Sequence, residues 1–373
     1  MRVAALETLG FRNLARGRLD LGEGITLLWG PNGAGKTNAL EAICLALTGR
    51  SNRTRNEREA IAFGQQLTRI AAEVTDGGET HAFRWSLDRS GERRHLVDDS
   101  PATVEHAGLR PPLTIFLPDR LALVKGPPTL RRAHLDRLCT ALWPARAEAR
   151  RRYGRALAQR NALLGRIRSG AAPVDSLAAW EQELAAAGVE LITSRREAVD
   201  LLASGFAEAA AELCLPGAAE LRYLPRTEAA DAGQLAAELR DRRDADLARG
   251  YTAHGPHLDE LALSLDGRSL RRYGSQGEQR AAVLALLFAE RRALLEAGRR
   301  PPLMLLDDVM SELDARRRAR LATRLAEGGQ SVLTATEPDH LSGGCERTEV
   351  ALRQGEAIAA PAAARPRSSP LAA

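Results

Sequence analysis

The eight residues Gly30–Thr37, GPNGAGKT, constrain the fold of this chain more than any other stretch. They fit the phosphate-binding loop pattern G-x-x-x-x-G-K-[ST]. Its glycines let the backbone wrap closely around a phosphate with N–H groups pointing inward, a path that a Cβ would obstruct. Lys36 offers a compact ammonium to β- and γ-phosphates, and Thr37 offers a hydroxyl to Mg²⁺. The predicted nucleotide contacts are Gly30, Pro31, Asn32, Gly33, Ala34, Gly35, Lys36 and Thr37.

The flanks of this loop have the order that nucleotide binding requires. Residues 25–29 read as a buried strand entering the loop, and residues 38–47 read as a helix leaving it. The positive end of that helix then points at the phosphates. Among 53 lysines and arginines only Lys36 and Lys125 are lysines, which indicates a site that needs a point charge rather than a planar fork. A chance glycine-rich turn is the weaker alternative, and we predict nucleotide binding.

Length and composition bound the remaining possibilities. A chain of 373 residues suits two or three domains, and a hydrophobic content of 44% can supply their cores. A formal charge of +5 permits an anionic partner without demanding one. Four scattered cysteines without a C-x-x-C pair argue against zinc and disulfides. The N-terminal residues include charges too early for a signal peptide, and no apolar run approaches the roughly 20 residues of a membrane-spanning helix. We therefore expect a soluble, cytoplasmic protein without a membrane partner.

The second half of a nucleotide site is expected about 240 residues downstream of the loop. Residues 301–306 read as a buried strand that delivers Asp307 and Asp308 to the carboxyl edge of a sheet. We expect Asp307 to hold Mg²⁺ together with Thr37, and Asp308 to orient and deprotonate the attacking water. A strand followed by an acidic helix cap is the alternative, but Ser311–Asp314 (SELD) follows immediately.

A second phosphate-binding helix end is predicted at Ser275 and Gly277, which open an apolar helix over residues 281–295. The phosphate loop already has its own helix. The expected use of Ser275 and Gly277 is therefore to cap a γ-phosphate held by another subunit.

The middle of the chain changes character. It is alanine-rich and helical, with one helix over 148–168 and another over 176–213, both read as an antiparallel arm. A helix of about 22 residues reaches only ~33 Å, too short for a cohesin-type coiled coil. The expected domains are an N-terminal head lobe at 1–138, a helical arm at 139–249, a C-terminal head lobe at 250–358 and a disordered tail at 359–373.

The order of these motifs resembles the ABC-type ATPases: phosphate loop, insertion, S-x-G signature, then Asp-Asp and S-x-L-D. Within them the chain resembles the RecF family of DNA replication and repair proteins. The resemblance runs from Phe11 to about Thr336. It implies an α/β, SMC-like ATPase head built from N- and C-terminal lobes, with an inserted α-helical arm. The segments that carry it, besides the loop, are 125–127 with Arg131 and Arg132, 255–259, 275–280, 305–309 and 311–314.

Some positions depart from the wider ABC pattern or leave alternatives open. Asp308 stands where transporters have glutamate, and the RecF family also tends to have aspartate there. No Q-loop glutamine follows Phe116, and Asp119 is a candidate for its place. The residue that senses the γ-phosphate has two candidates, one among residues 334–336 and the other His340. Metal binding by His254, His257 and Asp259 is a weaker reading than a structural segment, since no third cluster of ligands is visible.

The resemblance implies an ATP- and Mg²⁺-dependent DNA-binding protein of recombinational repair and fork maintenance. It implies slow, switch-like ATP hydrolysis, an ATP-dependent homodimer at DNA gaps or junctions near the nucleoid, and RecR- and RecO-type partners. Aromatic residues are only 4% of the chain, so we expect backbone contact rather than base stacking. Arginines of the arm or of residues 50–58 are the candidate contacts. The alternative is an ABC-type ATPase of a defence system that drives a separate effector.

Overall fold

The computed structural model describes residues 1–54, 56–103, 105–117, 121–311, 313–340 and 346–358. Within this part of the chain the strands are β1 (Arg2–Leu9), β2 (Gly17–Asp20), β3 (Ile25–Trp29), β4 (Leu67–Asp76), β5 (Glu79–Asp88), β6 (Arg93–Val97), β7 (Ser100–Pro101), β8 (Leu113–Phe116), β9 (Ala219–Leu224), β10 (Glu260–Leu265), β11 (Arg268–Ser269), β12 (Leu303–Leu306), β13 (Ser331–Ala335), β14 (Arg347–Arg353) and β15 (Glu356–Ile358). The α-helices are α1 (Lys36–Thr48), α2 (Ala122–Lys125), α3 (Pro128–Leu142), α4 (Ala147–Arg168), α5 (Leu177–Glu212), α6 (Ala232–Asp241), α7 (Arg243–Arg249), α8 (Leu270–Tyr273), α9 (Gln276–Glu296) and α10 (Ala315–Ala326).

The chain divides into two compact units. The first contains Met1–Pro118 and Arg300–Ala373, and the second contains Asp119–Arg299. These limits differ from the predicted domain boundaries at 138/139 and 249/250, so the division into two lobes and an arm stays a prediction. The predicted disordered tail at 359–373 and the Q-loop candidate Asp119 lie outside the described residues.

A mostly parallel sheet in the first unit carries the phosphate loop. Its strand order is β15-β14-β3-β13-β12-β8, with β15 alone antiparallel to its neighbour. Strands β3, β13 and β12 consist of buried residues apart from the last residue of β3. This agrees with the apolar runs from which β3 and β12 were predicted, because a parallel strand is covered on both faces. The carboxyl ends of β3, β13 and β12 therefore meet at one edge of the sheet.

An antiparallel sheet completes the first unit, in the order β2-β1-β4-β5-β6-β7. Residues 67–98 alternate apolar and polar residues in a way that predicts a strand meander, and β4, β5 and β6 confirm it. Helix α1 packs into a core shared with both sheets, and nine consecutive residues, 39–47, are buried. Each fully buried leucine or isoleucine in such a core contributes roughly 1.5–3 kcal/mol. The helix that leaves the phosphate loop is thereby held from both sides.

Helix α5 is the centre of the second unit. It packs against α4, α6, α9 and β9. The two predicted long helices are confirmed, since α4 has 22 residues and α5 has 36. The charged run over residues 234–249 reads in the sequence as one further helix, and that prediction is wrong. Residue Arg242 separates α6 from α7, and Asp231 caps α6 by accepting a hydrogen bond from the Gln234 N–H at 2.9 Å.

Most arginines of α4 have polar partners within the protein. Arg160 is fully buried, where it donates to Asp246 and Thr252 at 2.7 and 2.8 Å. A buried guanidinium needs such partners, because an unpaired buried charge is strongly destabilising. The dense basic run of this helix therefore serves the second unit's own packing at Arg160. Its surface arginines form ion pairs with carboxylates: Arg150 with Asp136, Arg151 and Arg155 with Glu148, and Arg152 with Glu183 and Glu190.

No helix in the described part of the chain is long and apolar enough to span a membrane.

Candidate nucleotide-binding site

The phosphate loop has the conformation that its glycines predicted. Gly30, Gly33 and Gly35 have φ values of 151°, 80° and 103°, which side chains rarely adopt. A Cβ on Gly30 would lie 2.1 Å from the Leu352 carbonyl oxygen, and one on Gly35 would lie 2.6 Å from Leu14. A Cβ on Gly33, by contrast, would meet no other atom within 4 Å. The loop is thus fixed at its two ends by close packing and open at its centre.

This difference gives a stability prediction. Gly30→Ala is expected to lower the free energy of unfolding by about 3 kcal/mol, through backbone strain and the contact with the Leu352 oxygen. Gly33→Ala is the matched control, with an expected loss of about 1 kcal/mol from left-handed φ alone. Urea unfolding without nucleotide measures both. Equal losses would show that Gly30 is not held as tightly as described.

Lys36 begins α1 and its side chain turns back over the loop. Its ammonium donates to the carbonyl oxygens of Gly30 at 2.6 Å and Pro31 at 2.9 Å. Burial lowers the pKa of Lys36, while the negative charges of Asp308 and Asp307 oppose that change. The ammonium therefore lies inside the predicted phosphate cradle with two carboxylates near enough to affect its protonation.

Asp307 lies at the carboxyl end of β12, as predicted, and its carboxylate reaches the loop. Both of its oxygens lie 2.9 Å from the Thr37 hydroxyl, although the two residues are 270 positions apart in the chain. The Thr334 hydroxyl donates to the same carboxylate at 2.7 Å. Burial raises the pKa of Asp307, the hydrogen bonds from Thr334 and Thr37 oppose that rise, and the neighbouring Asp308 adds to it. The structure thus brings together the two residues predicted to hold Mg²⁺.

Asp308 differs from its neighbour in exposure and conformation. Its side chain is exposed, whereas only 5% of Asp307 is accessible. Its φ of 49° lies in the left-handed region, which aspartate tolerates better than most residues. The Asp308 N–H donates to the Thr334 hydroxyl at 2.9 Å. One carboxylate is therefore fixed beside Thr37, while the other projects toward solvent from the same strand end.

Thr334 was one of the open candidates for a γ-phosphate sensor. Its side chain is fully buried at the end of β13 and bridges Asp307 and the Asp308 backbone. A hydroxyl already committed in this way orients the acidic pair instead of facing a phosphate. The side chain of His340, the other candidate, lies outside the described residues.

A buried carboxylate behind the loop was missed by the sequence interpretation. Glu41 is completely inaccessible, yet it accepts two hydrogen bonds from Arg12, at 2.6 and 2.8 Å, one from Ser51 at 2.6 Å and one from Arg53 at 3.2 Å. Such a set of charged donors compensates the cost of burying the charge. The signal was available, since Glu41 interrupts an otherwise apolar run of α1.

The same network continues to the loop through two asparagines. Arg53 also donates to Asn38 at 2.7 Å, Asn38 donates to Asn13 at 2.6 Å, and Asn13 donates to the Gly33 carbonyl oxygen at 2.6 Å. These contacts tie the Gly33 carbonyl at the centre of the loop to the Glu41 network. Arg53 belongs to the polar loop after α1, so this part of the predicted basic surface also has a structural task.

In the second unit, α9 begins where the signature was predicted to open a helix. Ser275 is its N-cap, and its Oγ accepts from the Glu278 N–H at 3.2 Å, while the Ser275 N–H donates to the Glu278 carboxylate at 2.7 Å. This is a capping box. Ser275 and Gly277 are both exposed, and no atom lies within 4 Å of the position of a Cβ on Gly277.

The alternative metal ligands of the second unit are engaged with other protein groups. His254 pairs with Glu238, and His257 lies 2.7 Å from the Tyr153 hydroxyl. Asp259 accepts from Arg195 at 3.1 Å. Among the described residues no group of three or more histidines, cysteines and carboxylates has a metal-binding arrangement. The three residues support the reading of a structural segment.

Comparison with known proteins first defines the class. Residues 2–358 match the family model of the RecF/RecN/SMC N-terminal domain. The fold is similar to that of the Smc head bound to the C-terminal winged-helix domain of ScpA, with a TM-score of 0.60 at 17% identity over 96% of each chain. The architecture is that of an SMC-like, ABC-type ATPase head, as predicted.

Closer relatives narrow the class to one family. The chain is 40% identical over 350 residues to the DNA replication and repair protein RecF of Anaeromyxobacter sp. (strain Fw109-5), covering 90% of this chain and 93% of the relative. It is also similar to the structure of the recombination mediator protein RecF–ATP in the RecFOR pathway. That match has a TM-score of 0.81 and 27% identity, and covers 95% of this chain and 96% of the other. This chain belongs to the RecF family of DNA replication and repair proteins.

Proposed function

We propose that this protein is an ATP-dependent DNA-binding protein of recombinational repair and replication-fork maintenance, which acts at gapped DNA as an ATP-induced dimer. The observation that carries the proposal is the contact between the Thr37 hydroxyl and the Asp307 carboxylate beneath a glycine loop. A RecF relative with this fold was solved with ATP, and its name places it in the RecFOR pathway. Family membership and site chemistry therefore support the same function.

The residues of the loop fit ATP and Mg²⁺. The closely wrapped loop depends on glycine, because a Cβ at Gly30 or Gly35 would collide with Leu352 or Leu14. Lys36 donates to two loop carbonyls that phosphate oxygens can replace as its acceptors. The hydroxyl of Thr37 and the carboxylate of Asp307 are hard oxygen donors, the kind of ligand that Mg²⁺ takes alongside phosphate. Held by Thr37 and Asp307, Mg²⁺ would supply charge neutralisation to the bound phosphates.

Lys36, Asp307 and Asp308 have separate proposed roles in ATP hydrolysis. Lys36 binds and orients the terminal phosphates, and Asp307 holds its place because Thr334 fixes its carboxylate. Asp308 is exposed beside it, where it can accept a hydrogen bond from the attacking water and take its proton. We expect slow, switch-like turnover, because hydrolysis also requires a second subunit to complete the site around the γ-phosphate.

Ser275 and Gly277, the signature residues at the start of α9, are the groups that we expect the second subunit to contribute. The Ser275 Oγ uses an acceptor site in the capping box, which leaves its hydroxyl proton available to an outside oxygen. The space around Gly277 is open, so its own subunit does not require a glycine at this position. Both features favour close approach by a group from outside the subunit. We infer that this helix end caps the γ-phosphate of ATP held by a second copy.

Ser275→Arg is therefore expected to abolish ATP-induced dimerisation and to keep ATP binding by the monomer, because the guanidinium occupies the phosphate space. Sedimentation velocity with and without a non-hydrolysable ATP analogue measures the change. Ser169→Arg introduces the same side chain at another exposed serine and should still dimerise. A wild-type oligomeric state that does not respond to nucleotide would overturn the shared site.

DNA and the mediator proteins are the proposed partners. Our expectation of RecR- and RecO-type partners comes from family membership and from the pathway named for the RecF relative. An ATPase assay on the full chain, compared across single-stranded, duplex and gapped DNA, tests the function directly. We expect the largest stimulation with gapped DNA. Turnover that is indifferent to all three substrates would contradict the proposal.

A further inference from the structure

An arginine-lined groove crosses the outer face of the antiparallel sheet in the first unit. It has a volume of about 980 Å³ and is lined by five arginines and a single carboxylate. We call it the arginine groove, defined by Arg16, Arg18, Arg69, Arg84, Arg94 and Glu7. All five arginines are exposed, and the groove lies on the opposite side of the sheet from the core that contains α1.

Strand register arranges these arginines with short side chains between them. Ser86 of β5 pairs with Arg69 of β4 on one side and with Arg94 of β6 on the other. Neighbouring strands lie about 4.8 Å apart, so the two arginines stand about 9.6 Å apart across a serine. Two residues along β5, Arg84 pairs with Ala71 and Leu96. Ser86 and Ala71, which have small side chains, form the floor of the groove. The guanidinium groups of Arg69, Arg84 and Arg94 surround this floor on three adjacent strands.

The arginines differ in how firmly the protein holds them. Arg18 is bound to Glu7, Asp20 and Glu73, so it is already neutralised. Arg16 and Arg69 have no ion-pair partner among the described residues. Arg84 and Arg94 pair with Asp99 and Glu92, which are exposed and lie outside the groove lining: Asp99 is 80% accessible and Glu92 58%. Exposed ion pairs of this kind are weak and are readily exchanged for a phosphate.

The groove offers fork-shaped cations without any ring for base stacking. Trp85 is the one aromatic residue of its lining, and its side chain is buried in the core. A partner recognised here is therefore recognised by its charge and not by its bases. The surface of α4 is the weaker candidate, because each of the four arginines named there has a carboxylate partner, whereas Arg16 and Arg69 of the groove have none among the described residues.

We propose that the arginine groove binds the phosphate backbone of duplex DNA, with Arg69, Arg84 and Arg94 as the contacts. This assignment rests on the proposed function, which requires DNA but leaves its surface open. Guanidinium groups bind phosphate oxygens in a bidentate manner, and a register of three strands presents them to successive phosphates.

The test compares two triple variants of the full chain that remove the same charge. The groove variant carries Arg69→Ala, Arg84→Ala and Arg94→Ala, and the arm control carries Arg150→Ala, Arg151→Ala and Arg155→Ala. Fluorescence anisotropy of a labelled duplex, titrated across salt concentrations with a non-hydrolysable ATP analogue, measures the slope of log affinity against log salt. ATP binding is measured separately. Each phosphate contact contributes about −0.9 to the slope, so the groove variant should lose about 2.7 for each subunit on the DNA.

The arm control should keep the wild-type slope, and the groove variant should keep wild-type ATP affinity. A lysine version, with Arg69→Lys, Arg84→Lys and Arg94→Lys, should recover most of the slope, because it restores the charges without the forks. If the lysine version is as defective as the alanine version, the loss is structural and the groove assignment fails.

The remaining outcomes separate the groove from the function. Wild-type binding of DNA with an unchanged slope in the groove variant would overturn the groove while leaving the function intact, and would point to an acidic protein as the occupant. Loss of slope in the arm control alone would move the interface to α4. Binding of gapped DNA but not of duplex by the wild type would overturn the groove assignment, and failure to bind either DNA, with or without nucleotide, would overturn the function itself.

Discussion

Lys36→Ala is expected to reduce ATP affinity and turnover by on the order of 10²-fold, the effect of removing one positioned charged donor from a phosphate site. The ammonium lies 2.6 and 2.9 Å from two loop carbonyls, so it is already held where the phosphates would bind. Lys36→Arg should also fail, since a planar guanidinium does not fit the tight turn that holds a compact ammonium.

Binding of a fluorescent ATP analogue and steady-state phosphate release measure these two losses. Lys125→Arg is the matched control, because Lys125 is the only other lysine and its side chain is exposed at the end of α2. Thermal unfolding of each variant shows that the fold is retained. Wild-type affinity and turnover in Lys36→Arg would remove the phosphate loop from the mechanism.

Asp308→Asn is expected to lower turnover by about 10²–10⁴-fold while ATP affinity stays within a few-fold of wild type, since the change removes the proposed base and leaves the proposed metal ligand in place. Asp307→Asn should instead weaken Mg²⁺-dependent ATP binding, because its carboxylate is the one that contacts Thr37. The two aspartates are neighbours, so each variant is the other's control for local disruption.

Titration of ATP binding at several Mg²⁺ concentrations, together with single-turnover hydrolysis, distinguishes the two roles. The expected pattern is a Mg²⁺-dependent affinity defect in Asp307→Asn and a chemical defect in Asp308→Asn. The reverse pattern would mean that the two roles are exchanged. Identical defects in both variants would indicate that the pair acts as one metal-binding unit.

Both halves of the candidate nucleotide site could be recognised in the sequence, because each half is formed by residues that are close together in the chain. A glycine loop between a buried strand and a helix needs no distant residue to be recognised, and the apolar run before Asp307 and Asp308 has the same property. The long helices α4 and α5 were predictable for a related reason, since alanine-rich composition favours helix over residues that tertiary contacts then bury. The break at Arg242 was not predictable, because charged helix formers continue on both sides of it.

The partners of the arginines could not be predicted from the sequence. A basic run on one helix reads the same whether its charges face solvent, a carboxylate or DNA. The structure shows Asp246 beside the buried Arg160 and Glu148 beside the exposed Arg155, which supports an internal role for the first and leaves the second to the arm control. In the arginine groove, by contrast, residues that are scattered in the sequence come together in the structure. Its arginines lie on or beside four strands between positions 16 and 94, and no linear pattern joins them until the register of the sheet does.

The sequence alone determined the family-defining loop, the acidic strand end and the alternation of strands and helices, because each depends on the order of nearby residue types. Tertiary structure alone decided that Thr37 meets Asp307 across 270 residues, that Thr334 orients the acidic pair, and that Glu41 can be buried with its charge. The physical reason is the same in each case. A hydrogen bond or ion pair forms only at contact distance, and which distant side chains reach that distance is set by how the sheets pack on α1.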